Sequence, residues 1–247
     1  MPKLSIVIAT YNTEATLQKC LHSICSQSYS DWELIIIDGA STDKTVEIIK
    51  SFSSLISYWH SKSDSGIYDA WNQGIAQAKG EYICFIGADD FFPNANILEM
   101  IFNDIQGIQY DLITSKGNFL RTDGGTNIVG KPWDFKSVEK RLTVCHPGLL
   151  HHHCLFEKYG RFDQSYKIVG DYEFLLRLPK SIKTLHVDFQ TISISDGGIS
   201  RKRMLTTLKE RKKAQASCPR IGWLKANIYY IEKLLKIPIA FLLKIPV

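Results

Sequence analysis

Two adjacent carboxylates, Asp89 and Asp90, follow the apolar run Tyr82–Ile86 and precede the aromatic pair Phe91-Phe92. Like charges side by side repel, and burying them is costly unless something positive compensates. A divalent cation would do so. Carboxylate oxygens suit Mg²⁺ or Mn²⁺, which take only one or two protein carboxylates and complete their shell with water and phosphate oxygens. A solvated turn or a helix cap remains the other reading of the pair, since Pro93 and Asn94 follow and a helix is expected over about 95–105.

Other polar residues with chemical potential are spread along the chain. Thr10-Tyr11-Asn12 and Asp38 each close an apolar run, Asp171 opens a short helical stretch, and His146 and His151-His152-His153 lie between. Familiar phosphate devices are missing. No G-x-G-x-x-G follows the first apolar run and no G-x-x-x-x-G-K-[ST] occurs, which excludes Rossmann dinucleotide and P-loop readings. A dehalogenase-type phosphatase with Asp38 as nucleophile would want a second Asp two residues on, where Ala40 stands.

Elements must place these groups. Leu4–Ala9, Leu34–Asp38 and Tyr82–Ile86 are short, β-branched runs of the kind found in buried parallel strands. Between them, 13–26 has near-helical apolar spacing, Ser41 or Thr42 can cap a helix carrying Val46, Ile49 and Phe52, and a short strand is expected near 56–60. Ile67, Ala70, Trp71, Gly74, Ile75 and Ala78 form one helical face, which marks Trp71 as core. This order is a doubly wound α/β pattern, whose sheet binds ligands at the carboxyl ends of its strands. Thr10-Tyr11-Asn12, Asp38 and Asp89-Asp90 fall at such ends. Beyond Asp111 the pattern weakens: "KGNFLRTDGGTNIVGKP" reads as loop, with a short helix over 172–178 and a strand over 184–195.

Composition fits a globular α/β protein, with 45% hydrophobic and 22% charged residues in 247. The six cysteines form no C-x-x-C pair and read as free thiols in a reducing compartment. The N-terminus lacks an apolar h-region, so the expectation is a cytoplasmic protein. Charge is uneven. Residues 1–200 carry 18 Lys and Arg against 23 Asp and Glu, whereas 201–247 carry 12 basic residues against only Glu210 and Glu232. A basic tail on an acidic body implies an anionic partner.

At the level of motifs, "SIVIATYN", "LIIIDGASTDKT" and "SDSGIYDAWNQGIAQAKGEYICFIGADD" resemble the family 2 glycosyltransferases of bacterial cell-surface polysaccharide type. The resemblance covers about 3–200, and "HPGLLHHHCLFEKYGRFDQSYKIVGDYEFLLRL" is similar to that family's acceptor-side segment. It implies a GT-A fold: a mixed, mostly parallel sheet flanked by helices. It also implies transfer of a sugar from a nucleotide-diphosphate donor, with inversion, to a lipid-linked or polysaccharide acceptor. Carried over, Thr10, Tyr11, Asn12, Asp38, Asp64, Gly66, Asn72 and Asp89 would serve the nucleotide. Asp90, with Asp89, would hold Mg²⁺ or Mn²⁺, and Asp171 would be the general base, with Glu173 the weaker alternative; His146, read from the residues alone, could add a metal ligand, a diphosphate contact or an acceptor contact. Gly197-Gly198-Ile199-Ser200, with Arg201 or Arg203, resembles a loop over the donor phosphates; a simple turn is the other reading. Two positions depart from the family's pattern: Gly87 replaces the first polar residue of the metal motif, and Gly39 replaces the second Asp of the nucleotide-binding turn.

The expected organisation is a catalytic domain, 1–200, and a basic amphipathic helical tail, 201–247, broken at Pro219. The uncharged end of the tail is shorter than the roughly 20 residues that span a bilayer. Basic charge and an apolar face suit an anionic membrane on the cytoplasmic side; packing on the catalytic domain or a second subunit is the other reading. Nucleic acid fits poorly, because the stretch carries no binding fold. Two other functions stay open: a sugar-1-phosphate nucleotidyltransferase, although "ATYNTEATLQKC" lacks its glycine-rich basic loop, and an inactive carbohydrate- or nucleotide-binding protein.

Overall fold

The structure, a computed structural model, describes residues 1–105, 107–196, 198 and 203–243, with side chains described as far as residue 236. Its first half runs β1 (Leu4–Thr10), α1 (Leu17–Cys25), β2 (Trp32–Asp38), α2 (Thr45–Ser51), β3 (Tyr58–Ser61), α3 (Ile67–Gln77), β4 (Tyr82–Gly87) and α4 (Ile97–Ile105). β1 pairs in parallel with β2 and with β4, and β2 pairs in parallel with β3. The order β3-β2-β1-β4 reverses direction between β1 and β4. That reversal is where an open α/β sheet leaves a crevice at its strand ends.

The continuous apolar runs reflect burial on both faces. Ile6 and Ile8 of β1 pack with Leu17, Leu21 and Ile24 of α1 and with α4, while Val7 points the other way, into the cluster containing Tyr68, Trp71 and Phe85. α3 lies very close to the sheet: a Cβ on Gly74 would meet Val7 Cγ1 at 2.3 Å. Its buried face includes Tyr68, Trp71, Asn72 and Ile75, whereas Ile67, expected on that face, is exposed. All six cysteines are free.

The second half contains more strand than its sequence suggests. β5 (Leu112–Leu120) and β6 (Thr126–Val129) form an antiparallel hairpin where a loop was expected. After α5 (Phe135–Val138), β7 (Leu150–His152) pairs antiparallel with both β4 and β5. α6 (Cys154–Tyr159) and α7 (Gly170–Arg177) follow, and β8 (Thr184–Ile194) returns parallel to β5. Strand 150–152 places two histidines in the sheet, with His151 buried beside Phe85 and Phe156.

The basic tail folds as α8 (Met204–Ser217) and α9 (Gly222–Leu243). α8 packs on α7, and Gln215 donates to the carbonyls of Glu139 and Lys140. Arg220 donates to the carbonyls of Leu176 and Leu178. Packing on the catalytic body, one of the two readings of the tail, therefore holds for α8. α9 packs on α8, burying Ala226, and leaves Trp223, Leu224, Ile228, Ile231 and Leu235 exposed along one side. Among the described residues no helix is long and apolar enough to cross a membrane. The side chains of 237–247 lie outside the described residues.

Candidate active site

Two cavities sit over the strand ends and share Ile67 in their walls. The first, of about 580 Å³, is lined by Thr10 and Tyr11 after β1, Gly39 and Ala40 after β2, and Ser63, Asp64 and Gly66 before α3. Tyr11 is 64% exposed there, unusual for a large ring with no protein partner to cover it. Asp64 accepts from the Gly66 amide through Oδ1, and burial raises its pKa above the usual carboxylate range.

The turn below this cavity is built around Asp38. Its oxygens accept from Thr10 Oγ1 at 2.8 Å, Ser41 Oγ at 2.5 Å, the Ser41 amide at 2.9 Å and Ser61 Oγ at 2.6 Å. Burial raises its pKa, but these bonds, with Ser41 foremost, outweigh burial and hold it low. Four donors use up the carboxylate's acceptor capacity. Asp38, expected to line the nucleotide pocket, instead lies beneath it and is fully buried.

Asn12, with φ 51°, accepts from the Thr42 amide, and its own amide donates to Ser41 Oγ. It ties the two turns together rather than lining the cavity. Ala40 has φ 62°, a left-handed conformation that costs an L-residue roughly 1–2 kcal/mol. Strain of this kind concentrates at ligand sites. Asn72 is a correction of another sort. Its amide donates to the Phe162 carbonyl and accepts from the Phe162 amide, so both ends are committed to a structural clamp away from either cavity.

The glycine at position 39 has a structural reason. A Cβ there would sit 2.9 Å from Asp64 Oδ2, so the carboxylate of Asp64 occupies the space beside that position. Gly87 is analogous: a Cβ would lie 2.8 Å from both Asp89 Oδ1 and Asp90 Oδ2. Without it, the two carboxylates fold back over the strand end.

The second cavity, of about 640 Å³, holds Asp89, Asp90, His146 and Asp171 in one wall system with Tyr68, Trp71, Lys167 and Arg211. Asp90 is buried, and burial followed by the neighbouring Asp89 charge pushes its pKa up to about 7. The Ser195 amide donates to Asp90 Oδ1 and Ser195 Oγ to the Asp89 carbonyl, while Phe91 and Ser193 exchange backbone hydrogen bonds. The end of β8 thus braces the acidic pair. Trp71, as expected, is core, at the cavity floor.

Asp171, in the first turn of α7, accepts from Tyr68 Oη at 3.1 Å. Burial raises its pKa, opposed by hydrogen bonds including that of Tyr68 and by the Arg211 charge. Glu173, the alternative base, is paired with Arg177 at 3.1 Å and lies outside this cavity. His146 is packed flat against Trp71, with ring centroids 5.3 Å apart, and burial pushes its pKa down to about 3. Its Nε2 has no partner. Among the described residues no three His, Cys, Asp or Glu side chains are grouped to hold a metal, so His146 does not complete a set with Asp89 and Asp90. Of the loop expected over the phosphates, Gly197, Ile199, Ser200 and Arg201 lie outside the described residues; Gly198 lines the cavity and Arg203 immediately precedes α8.

Sequence reading missed Tyr68, Gly170 and Glu210. Gly170 was readable only through contact: a Cβ would meet the Tyr68 ring at 2.8 Å. Glu210 of α8 accepts from the amides of Lys167, Ile168 and Val169, the residues leading into α7.

Comparison with known proteins agrees with this architecture. The model of the family "Glycosyl transferase family 2" matches residues 5–162. A PGL/p-HBAD biosynthesis glycosyltransferase of Mycobacterium bovis is 31% identical over 185 residues, covering 71% of this chain and 69% of that protein. An uncharacterized glycosyltransferase of Rickettsia typhi is 30% identical over 209 residues, covering 77% of this chain and 63% of that one. The crystal structure of S. aureus TarS superposes with a TM-score of 0.70 at 18% identity, covering 94% of this chain and 43% of TarS. A mannosyltransferase from Pyrobaculum calidifontis, in complex with GDP-Man and Mn²⁺, superposes at 0.69 with 17% identity, covering 93% of this chain and 70% of its own. The fold is that of the GT-A transferases, and the chain belongs to glycosyl transferase family 2.

Proposed function

We propose that this protein transfers a sugar from a nucleotide-diphosphate donor to an acceptor hydroxyl with inversion, using Asp171 as general base. The observation that carries the reading is the shared cavity of Asp171 and the acidic pair Asp89-Asp90, which come from different elements. The nucleotide belongs in the first cavity, against the Tyr11 ring, with Asp64, Thr10 and Gly66 around it. Asp38 and Asn12 shape that pocket from beneath. The solved relatives support such a donor: TarS has been crystallised with UDP-GlcNAc and the Pyrobaculum enzyme with GDP-Man.

In the transfer, the acceptor oxygen bonds to the anomeric carbon as the bond to the diphosphate breaks, and the nucleoside diphosphate departs with that electron pair. The acceptor proton passes to Asp171. A carboxylate serves this role from the face opposite the leaving group, which inverts the centre. Tyr68 holds the carboxylate in place and favours its ionised form.

Asp89 and Asp90 fit a Mg²⁺ or Mn²⁺ ion. One carboxylate is pushed toward protonation by burial and by its neighbour, a cost that a cation would relieve, and such ions need only one or two protein carboxylates. When bound, the ion stabilises negative charge on the departing diphosphate.

The acceptor we infer is lipid-linked or polysaccharide, in cell-surface glycan synthesis; the naming of the mycobacterial relative as a PGL/p-HBAD biosynthesis glycosyltransferase supports this. Residues 1–200 form the catalytic domain and 201–247 its basic tail, on the cytoplasmic side of a membrane. The exposed apolar side of α9, with the tail's lysines, suits an anionic lipid surface.

The test is a transfer assay with Mn²⁺ and UDP- and GDP-sugars, comparing wild type with Asp171→Asn. Transfer should fall by at least about 10³-fold while sugar-nucleotide affinity is kept. Full activity in the variant, or pyrophosphate release from a nucleoside triphosphate, would overturn the proposal.

A further inference from the structure

A third cavity, of about 450 Å³, shares Arg211 with the cavity that holds Asp171. Lys131, Lys140, Arg141, Arg211, Lys233 and Lys236 surround it, and Glu232 is the one acid in its lining. Among the described residues, none of these six cations forms an ion pair with a carboxylate within 4.0 Å. Single exposed lysines are ordinary, but here the charges press on one another. Burial lowers the Lys233 pKa, and the charges of Arg211, Arg141 and Lys236 lower it further. Arg211 is lowered by burial, against the opposing effect of Tyr172 and Asp171, with Arg141 adding to the drop. A concave site lined by six cations against one acid concentrates anions. Guanidinium groups pair with phosphate through two parallel hydrogen bonds, and lysines add point charge.

We propose that this cavity binds the diphosphate of the acceptor substrate. The inference rests on the glycosyl-transfer reading of the neighbouring site and names its substrate class: a lipid-linked diphosphate glycan. The donor's diphosphate is claimed by the acidic pair, whereas this cavity adjoins Asp171, the residue that faces the acceptor. α9 supplies Tyr229, Tyr230, Lys233 and Lys236 to the cavity. The same helix exposes Trp223, Leu224, Ile228, Ile231 and Leu235. At helical spacing these two sets fall on opposite sides of α9, so with its apolar side on a lipid surface the helix turns its cations toward the diphosphate of an acceptor anchored nearby.

The experiment uses the full chain in EDTA, titrated with inorganic pyrophosphate by calorimetry, beside the double variant Arg141→Ala/Lys233→Ala. Both side chains lie outside the catalytic cavity. Wild type should bind pyrophosphate, and the double variant at least tenfold more weakly, with an unchanged melting temperature. Acceptor-independent hydrolysis of the sugar nucleotide with Mn²⁺ should be equal in both. Equal pyrophosphate affinity, or no binding by wild type, would overturn the assignment. Binding confined to phosphatidylcholine–phosphatidylglycerol vesicles would assign the cations to bulk lipid head groups and overturn it too. Absence of donor hydrolysis in both proteins would tell against the transfer reading alone, because pyrophosphate binding is measured without turnover.

Discussion

The Tyr68 hydroxyl donates a hydrogen bond to Oδ1 of Asp171, joining the first turn of α3 to the first turn of α7. Tyr68 is buried, and its own pKa is driven well above the usual value, by burial first and then by the Asp171 charge. It stays a donor across the working pH range. Gly170 makes the approach possible, since a side chain there would strike the ring.

Removing that donor should show in the pH profile. Tyr68→Phe withdraws a bond that favours the ionised carboxylate, so the Asp171 pKa rises and the acidic limb of kcat/KM moves to higher pH. The loss of about 1–1.5 kcal/mol corresponds to roughly tenfold in kcat. A profile superposable on wild type would contradict the role assigned to Tyr68.

Asp90 links the site to stability. Its folded pKa of about 7 lies above the usual carboxylate value of 3.8. Between those values the folded state binds more protons than the unfolded state, so stability falls as pH rises and levels off above about 7. In EDTA, Asp90→Asn should flatten this slope and stabilise the protein near pH 8 by a few kcal/mol. Urea unfolding from pH 4 to 8 measures both. For wild type, stabilisation by Mn²⁺ should fade as pH drops through about 7, because protons compete for the same oxygens.

Gly87 tests the geometry of the pair without removing a charge. In Gly87→Ala the new methyl must displace the Asp89 and Asp90 carboxylates, whose oxygens stand 2.8 Å from where it would lie. Mn²⁺ affinity, followed by titration calorimetry, should drop about tenfold. Global stability should change by less than about 1.5 kcal/mol, since side-chain ends can shift. Unchanged affinity would mean that the pair's arrangement over Gly87 is immaterial.

Glu210 reports on the tail. Glu210→Ala leaves the amides of Lys167, Ile168 and Val169 without their acceptor. Hydrogen bonds to a charged group contribute about 1.5–3 kcal/mol, so a loss of at least about 2 kcal/mol is expected. kcat should fall as well, because the segment leads directly into Asp171, while nucleotide affinity stays. Glu210→Gln keeps one acceptor oxygen and should lie between. Equal stability and kcat in the alanine variant would separate the tail from the active site.

The first half of the fold was readable because its strands are buried on both faces and announce themselves as β-branched runs. The second half hid its strands in polar residues. β5 reads Leu-Ile-Thr-Ser-Lys-Gly-Asn-Phe-Leu, and β7 is Leu-His-His. Thr114 and Ser115 are buried through side-chain hydrogen bonds to β8 and its residues, an arrangement without a period to detect. The site divides similarly. Asp89, Asp90 and Asp171 share a cavity as the motifs suggested. Asp38 and Asn72 were expected to serve the nucleotide, but protein donors fill the acceptor capacity of Asp38, and Asn72 lines neither cavity and bonds Phe162 at both ends.

Position 39 carries a lesson for anyone aligning this chain with its relatives. The family's pattern has an acid there, but in this chain a Cβ would stand 2.9 Å from Asp64 Oδ2, so the carboxylate of a separate loop already takes that space. An aspartate at 39 would have to push the Asp64 carboxylate aside and set two acids against each other, so restoring the family residue would injure the pocket rather than mend it.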